Sequence, residues 1–149
     1  LFMKKIKLII SISITITFLL ICPSSFSENN NYFSEAKALF EKEKFDKSKL
    51  LFEKDIVFNP KSEQSYLYLA KIFNKNENES QQEVNLNSVL LLNPQNEEAI
   101  YMMALIKINQ SDYNESKKLI KKFTLICKSF CKKKSELKNK LGKLIPENE

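Results

Sequence analysis

Beyond residue 28, apolar side chains recur every three or four positions, the spacing that gathers them on one side of a helix. Leu39, Phe40, Leu50, Leu51, Ile56, Leu67, Leu69, Phe73, Leu86, Leu90, Met103, Ile106, Leu119, Ile120 and Phe123 carry the pattern. It predicts helices at about 30–42, 46–58, 62–75, 79–92, 96–109 and 113–126, with boundaries good to a few residues. Asn59-Pro60 and Asn93-Pro94 separate successive pairs, because proline disfavours the helical conformation in the residue before it. A seventh helix, about 130–145, would carry Leu137, Leu141 and Leu144 on one face with Lys132, Lys133, Lys134, Lys138, Lys140 and Lys143 around them, Gly142 weakening its last turn and Pro146 stopping it.

The helices repeat as pairs. Asn59-Pro60 returns as Asn93-Pro94, Tyr32 as Tyr66, and Ala36 as Ala70 and Ala104, each step being 34 residues. Phe45 is matched by Tyr113, Ser48 by Ser116, and Phe52 by Leu86 and Ile120. A short helix pair cannot bury its apolar face alone, so such pairs stack, and the three alanines let neighbouring backbones approach closely.

From about Asn29 to Leu144 this pattern resembles the tetratricopeptide repeat family: a bulky residue early in the first helix, a small one four later, an aromatic opening the second helix, a small one three later and a closing proline. Tyr32, Ala36, Phe45, Ser48 and Pro60 fill these places in the first unit. In the second, Glu79 and Gln82 replace the aromatic and the small residue, which predicts a helix that starts late or packs loosely; in the third, Lys107 stands where an aromatic is usual and no proline closes the unit. The resemblance implies an all-α solenoid of three helix pairs, at about 29–62, 63–96 and 97–130, closed by the capping helix. It also implies a non-enzymatic interaction module whose first helices line a groove for a peptide or helix of a partner protein. By register the groove residues are Phe33, Lys37 and Phe40, then Leu67, Lys71 and Asn74, then Tyr101, Leu105 and Ile108. Phe33, Leu67 and Tyr101 occupy the places where some relatives set lysines to clamp a peptide's terminal carboxylate, so an apolar or amphipathic peptide is expected, received on a ladder of apolar rungs. Phe40 and Leu105 read equally well as core.

The first 27 residues follow a different rule. Lys4, Lys5 and Lys7 precede the run Leu8–Cys22, and the small-residue stretch Pro23-Ser24-Ser25-Phe26-Ser27 comes next. That is the layout of an export signal cut ahead of Glu28, which divides the chain into 1–27 and a repeat domain 28–149 and places it in the periplasm or cell envelope. An uncleaved anchor is the alternative, although the run is shorter than the roughly 20 residues a spanning helix needs. Lipidation at Cys22 is a further alternative: Leu19 stands three residues before it, as in a lipoprotein signal, although the bulky Ile21 and Pro23 fit such a signal poorly.

Composition narrows the chemistry. One glycine in 149 residues disfavours β-rich architectures, the lack of histidine removes the usual neutral-pH proton carrier, and the lack of arginine removes bidentate phosphate and guanine recognition. Glu41 with Glu43, and Glu77, Glu79 and Glu83, lie among Lys and Asn at helix ends as a solvated face would, so no catalytic residue, metal site, cofactor or small-molecule substrate is assigned. Cys127 and Cys131 straddle the turn before the capping helix. After export and removal of Cys22 they would be the remaining pair, readable as a disulfide staple, as free thiols or, least favoured, as a metal or redox site.

Charge is two-ended. Residues 28–116 carry 15 acids against 10 lysines, net −5, whereas 117–143 carry 11 lysines against Glu136 alone, net +10. The basic end leaves a second reading open: a membrane-anchored structural component whose C-terminal end meets anionic lipid or an acidic partner. Nucleic acid is not expected, since lysine without arginine or placed aromatics gives only sequence-blind attraction.

Overall fold

The computed structural model describes residues 31–144; the signal or anchor segment, the lipidation position Cys22 and Pro146 lie outside them. Among the described residues seven α-helices follow one another: α1 (Tyr32–Glu41), α2 (Phe45–Phe58), α3 (Glu63–Lys75), α4 (Glu79–Leu92), α5 (Glu97–Asn109), α6 (Tyr113–Ile126) and α7 (Lys134–Gly142), with a 3-10 turn, Cys131–Lys133, before the last. No strand occurs among the described residues.

Each helix packs against its successor, making the hairpins α1/α2, α3/α4 and α5/α6, which stack in order, and α7 closes the array against α5 and α6. The turn inside each hairpin uses the same device at 34-residue spacing. Glu43, Glu77 and Ser111 take the left-handed conformation, with φ of 56°, 55° and 60°. The next residue's N–H then reaches back to a carbonyl five positions earlier, Lys44 to Leu39, Asn78 to Phe73 and Asp112 to Lys107, each at 2.9 Å. Left-handed geometry normally favours glycine, which is absent from all three turns. Asn78, Asn96 and Asp112 then cap the following helices, their side-chain oxygens accepting from the N–H groups of Gln81, Ala99 and Glu115.

Two apolar clusters share α3. Leu69 and Ile72 join Ala36 and Phe52 in the first, ringed by Phe33, Phe40, Phe45 and Tyr68. Leu67 and Ala70 join Leu86, Val89, Ile100, Met103, Ala104, Ile106, Ile120, Phe123 and Leu137 in the second. The alanines Ala36, Ala70 and Ala104 are fully buried. Ser48 is buried too, and its Oγ donates to the Ala36 carbonyl at 2.8 Å, tying α2 to α1.

The second unit departs from expectation. α4 begins at Glu79 without delay, and Gln82 is buried instead of loosening the pair. A polar network stands where aromatic packing is usual: the Lys107 ammonium donates to Glu83 Oε1 at 2.5 Å and Gln110 Oε1 at 2.9 Å, while the Gln110 amide donates to Glu79 and Glu83. These bonds, led by the one from Lys107, hold the Glu83 carboxyl below the usual range.

The cap also differs from a plain helix over 130–145. Residues 128–130 form a loop held by Glu97, whose carboxylate accepts the N–H groups of Lys128, Ser129 and Phe130 and the Ser129 hydroxyl. Glu63, one repeat earlier, accepts Asn93 and Asn96 amides in the matching place. Cys127 and Cys131 are joined as a disulfide across this loop, with Cα atoms 5.1 Å apart. The loop uses up the residues that would have been the first turn, so α7 starts only at Lys134.

Candidate partner-binding groove

The first helices lie side by side. Tyr68 of α3 meets Phe33 and Phe40 of α1 edge-on, and Lys71 of α3 pairs with Glu98 of α5 at 2.8 Å. Between them runs a groove of ≈ 630 Å³. Phe40, Tyr101, Met102, Leu105 and Ile106 supply its apolar lining; Lys71, Lys75 and Lys140 are balanced by Glu77, Glu79 and Glu98; Asn74, Gln82 and Asn109 add amides. The surface is amphipathic and close to neutral.

Five of the residues singled out from register line this groove: Phe40, Lys71, Asn74, Tyr101 and Leu105. The others do not. Leu67 is only 4% exposed and Ile108 only 3%, both within the second cluster. Phe33 is half-buried against Phe52 and Tyr68, with ring centroids 5.8 and 6.0 Å away, and Lys37 is exposed outside the groove lining. The expected ladder of Phe33, Leu67 and Tyr101 therefore does not form. The middle first helix, α3, has first helices on both flanks and its own partner behind, so Leu67 turns inward while Lys71 and Asn74 stay at the groove.

Tyr101 has a structural duty as well. Its ring packs near Phe123 and Phe130, its hydroxyl donates to Glu136 Oε1 at 2.8 Å, and the Lys133 ammonium, 5.5 Å above the ring, donates to the other Glu136 oxygen at 2.9 Å. Burial, followed by the bond to Glu136, raises the Tyr101 phenol's pKa, and the Lys133 bond ahead of the Tyr101 bond lowers that of Glu136. Tyr101 thus joins α5 to the cap, and truncating it would loosen the fold as well as the groove.

Met102, Ile106, Gln82, Glu79 and Lys140 also line the groove, although they lie outside the first-helix groove register; they come from α5, α4 and the cap. No signal in the first-helix period pointed to them.

Large apolar residues do remain in solvent, but elsewhere. Among the described helix pairs they are Leu50, Val57 and Phe58 of α2, Val84, Leu91 and Leu92 of α4, and Leu125 of α6, all on second helices. Val57, Leu91 and Leu125 are one repeat apart and 75%, 84% and 77% exposed.

Three stacked helix hairpins of 34 residues, registered by buried alanines and closed by a capping helix, decide the architecture. The fold is that of a tetratricopeptide-repeat domain. Solved structures share it: the first such domain of Spaghetti (RPAP3), bound to the HSP90 peptide SRMEEVD, aligns with TM-score 0.68 at 15% identity over 76% of this chain and 90% of that one. The Sgt2 repeat domain from Aspergillus fumigatus aligns with TM-score 0.65 at 14% identity, over 83% and 88% of the two chains. A CopN–Scc3 complex contributes a match with TM-score 0.61 at 16% identity, over 82% and 72%. No protein-family profile matches the chain, and no curated protein matches it by sequence.

Proposed function

We propose that this chain is a non-enzymatic scaffold of the cell envelope that holds a segment of another protein in its tetratricopeptide-repeat groove. The observation that carries the reading is the groove itself: an apolar lining from Phe40, Tyr101 and Leu105, interspersed with the Lys71–Glu98 ion pair and the amides of Asn74 and Asn109. Such a lining suits an amphipathic segment, with apolar anchors set between side chains of both signs. Matches of the same fold include one solved with a bound peptide and one solved as a protein complex, which supports a protein partner. The envelope assignment rests on the residues before Glu28.

The test is affinity capture from an envelope fraction by the full chain and by Asn74→Arg/Leu105→Glu. Asn74 is exposed, whereas Leu105 is half-buried against the second cluster, so a thermal melt of the variant is recorded alongside the capture to show that it is folded under the binding conditions. Loss of a groove anchor is worth about 2 kcal/mol, roughly thirtyfold in affinity, enough to remove a micromolar partner from the eluate. If the same proteins are retained by both forms, the groove is not the binding site. Fractionation together with mass spectrometry of the N-terminus tests the location: a start at Glu28 in an envelope fraction is expected, and an unprocessed cytoplasmic chain would contradict it.

A further inference from the structure

Between α6 and α7 lies a second cavity of ≈ 390 Å³, to whose lining Tyr101 does not belong. Its walls are Ile120, Thr124, Leu125 and Leu141, and three lysines stand at its rim, Lys117 and Lys121 from α6 and Lys138 from α7. No carboxylate lines it. Among the described residues, the carboxylates of α6 and α7 are engaged elsewhere: Glu115 pairs with Lys118 at 3.0 Å, and Glu136 is tied to Lys133 and Tyr101. Leu125, at the cavity's edge, is 77% exposed and ends the row that Leu91 and Val57 continue one and two repeats earlier.

We propose that this face is a peripheral docking site for an anionic phospholipid bilayer, with Leu125 and the apolar slot entering the headgroup boundary and Lys117, Lys121 and Lys138 meeting lipid phosphates. Charge complementarity selects the occupant. The rim is all ammonium, and the 117–143 stretch carries net +10, so the face attracts anions and repels a second copy of itself presented the same way. The lysines are single point charges on long stems, a set that matches laterally mobile phosphates better than the fixed hydrogen-bonding groups of a folded partner; Thr124 supplies the slot's one neutral polar side chain. Apolar residues flanked by lysines on one face are also the composition of surfaces that lie in the membrane interface, entering it by about 5–10 Å. No described helix is long and apolar enough to cross a membrane, so the contact is one of surface and not of span.

The chain contains no tryptophan, which permits a site-specific test in the full-length protein. Leu125→Trp introduces the sole indole at the proposed contact, and its signal reports this site whatever the apolar N-terminal run does. With phosphatidylglycerol-rich vesicles the indole emission should shift to the blue and be quenched by brominated acyl chains. With phosphatidylcholine vesicles both effects should be weak. Adding Lys117→Gln, Lys121→Gln and Lys138→Gln to the same protein should reduce the partition into anionic vesicles on the order of a hundredfold at low salt, and raising the salt should mimic that loss. Unshifted emission with anionic vesicles, or equal quenching by both vesicle types, would overturn the proposal. So would an indole shielded by an acidic amphipathic peptide and untouched by lipid, which would assign the slot to a protein instead. Groove binding is measured separately with Asn74→Arg/Leu105→Glu, so either site can fail alone.

Discussion

On the first-helix side, Phe40, Tyr101 and Leu105 sit half-buried in a groove of balanced charge, whereas on the second-helix side Val57, Leu91 and Leu125 project into solvent in a row. The same 34-residue repeat produced both faces. The difference follows from how many neighbours each helix has. A first helix is packed by the first helices beside it and by its own partner, and the cap reaches the last of them, so its large apolar residues are mostly spent on cohesion, and those that reach the groove, Phe40, Tyr101 and Leu105, do so half-buried among polar neighbours. A second helix is open along its outer side, where nothing inside the molecule covers an apolar residue. Repetition therefore sets register, while packing decides what a residue at a given register is available to do.

The largest effect that separates the faces is in stability. Ile106 touches both the groove and the core at 2% exposure, so Ile106→Ala should lower the unfolding free energy by about 3 kcal/mol, within the range for creating a core cavity. Leu91→Ala, at 84% exposure, should change it by less than about 0.5 kcal/mol. Urea midpoints of the two variants decide it. A comparable loss for Leu91→Ala would mean that the outer row is packed and not free.

A smaller, pH-dependent effect tests the connection between α5 and the cap. Glu97 is held at about 2, below its ordinary 4.5, chiefly by the Ser129 hydroxyl and then by the backbone N–H groups of 128–130. A lowered folded-state value means that the ionised carboxylate is favoured by folding, so its contribution is complete above about pH 4.5 and disappears as the pH falls toward 2. Glu97→Gln should be less stable than the parent at pH 7, and the gap should close between about pH 4.5 and 2. Denaturant titrations across that window check it; a gap independent of pH would show that the ionisation of Glu97 does not contribute to holding the loop.

The smallest expected change is a gain, in the turns that join one face to the other. Glu77 holds φ at 55°, a conformation that costs a side chain roughly 1–2 kcal/mol and glycine almost nothing. Glycine's greater freedom in the unfolded chain cancels part of the relief, leaving a net gain of about 0.5 kcal/mol for Glu77→Gly. Thermal melts should show a slightly higher midpoint and unchanged helix content. A lower midpoint would show that the Glu77 side chain at the groove edge contributes more than its backbone strain costs.

The repeat period, the helix order and the limits of the six paired helices were legible in the sequence because they depend on interactions of short range. Apolar spacing marks each helix, Asn-Pro ends a pair, and Ala36, Ala70 and Ala104 must stay small wherever backbones meet. Part of the groove was legible for the same reason, since Phe40, Lys71, Asn74, Tyr101 and Leu105 keep their register on the first helices. Tertiary structure alone decided the rest. It turned Leu67 and Ile108 inward, joined Tyr101 to Glu136 across 35 residues, and paired Lys107 with Glu83. Each of these is a contact between segments far apart in the chain, and a period read along one chain records which residues are equivalent without recording which of them acquire a neighbour.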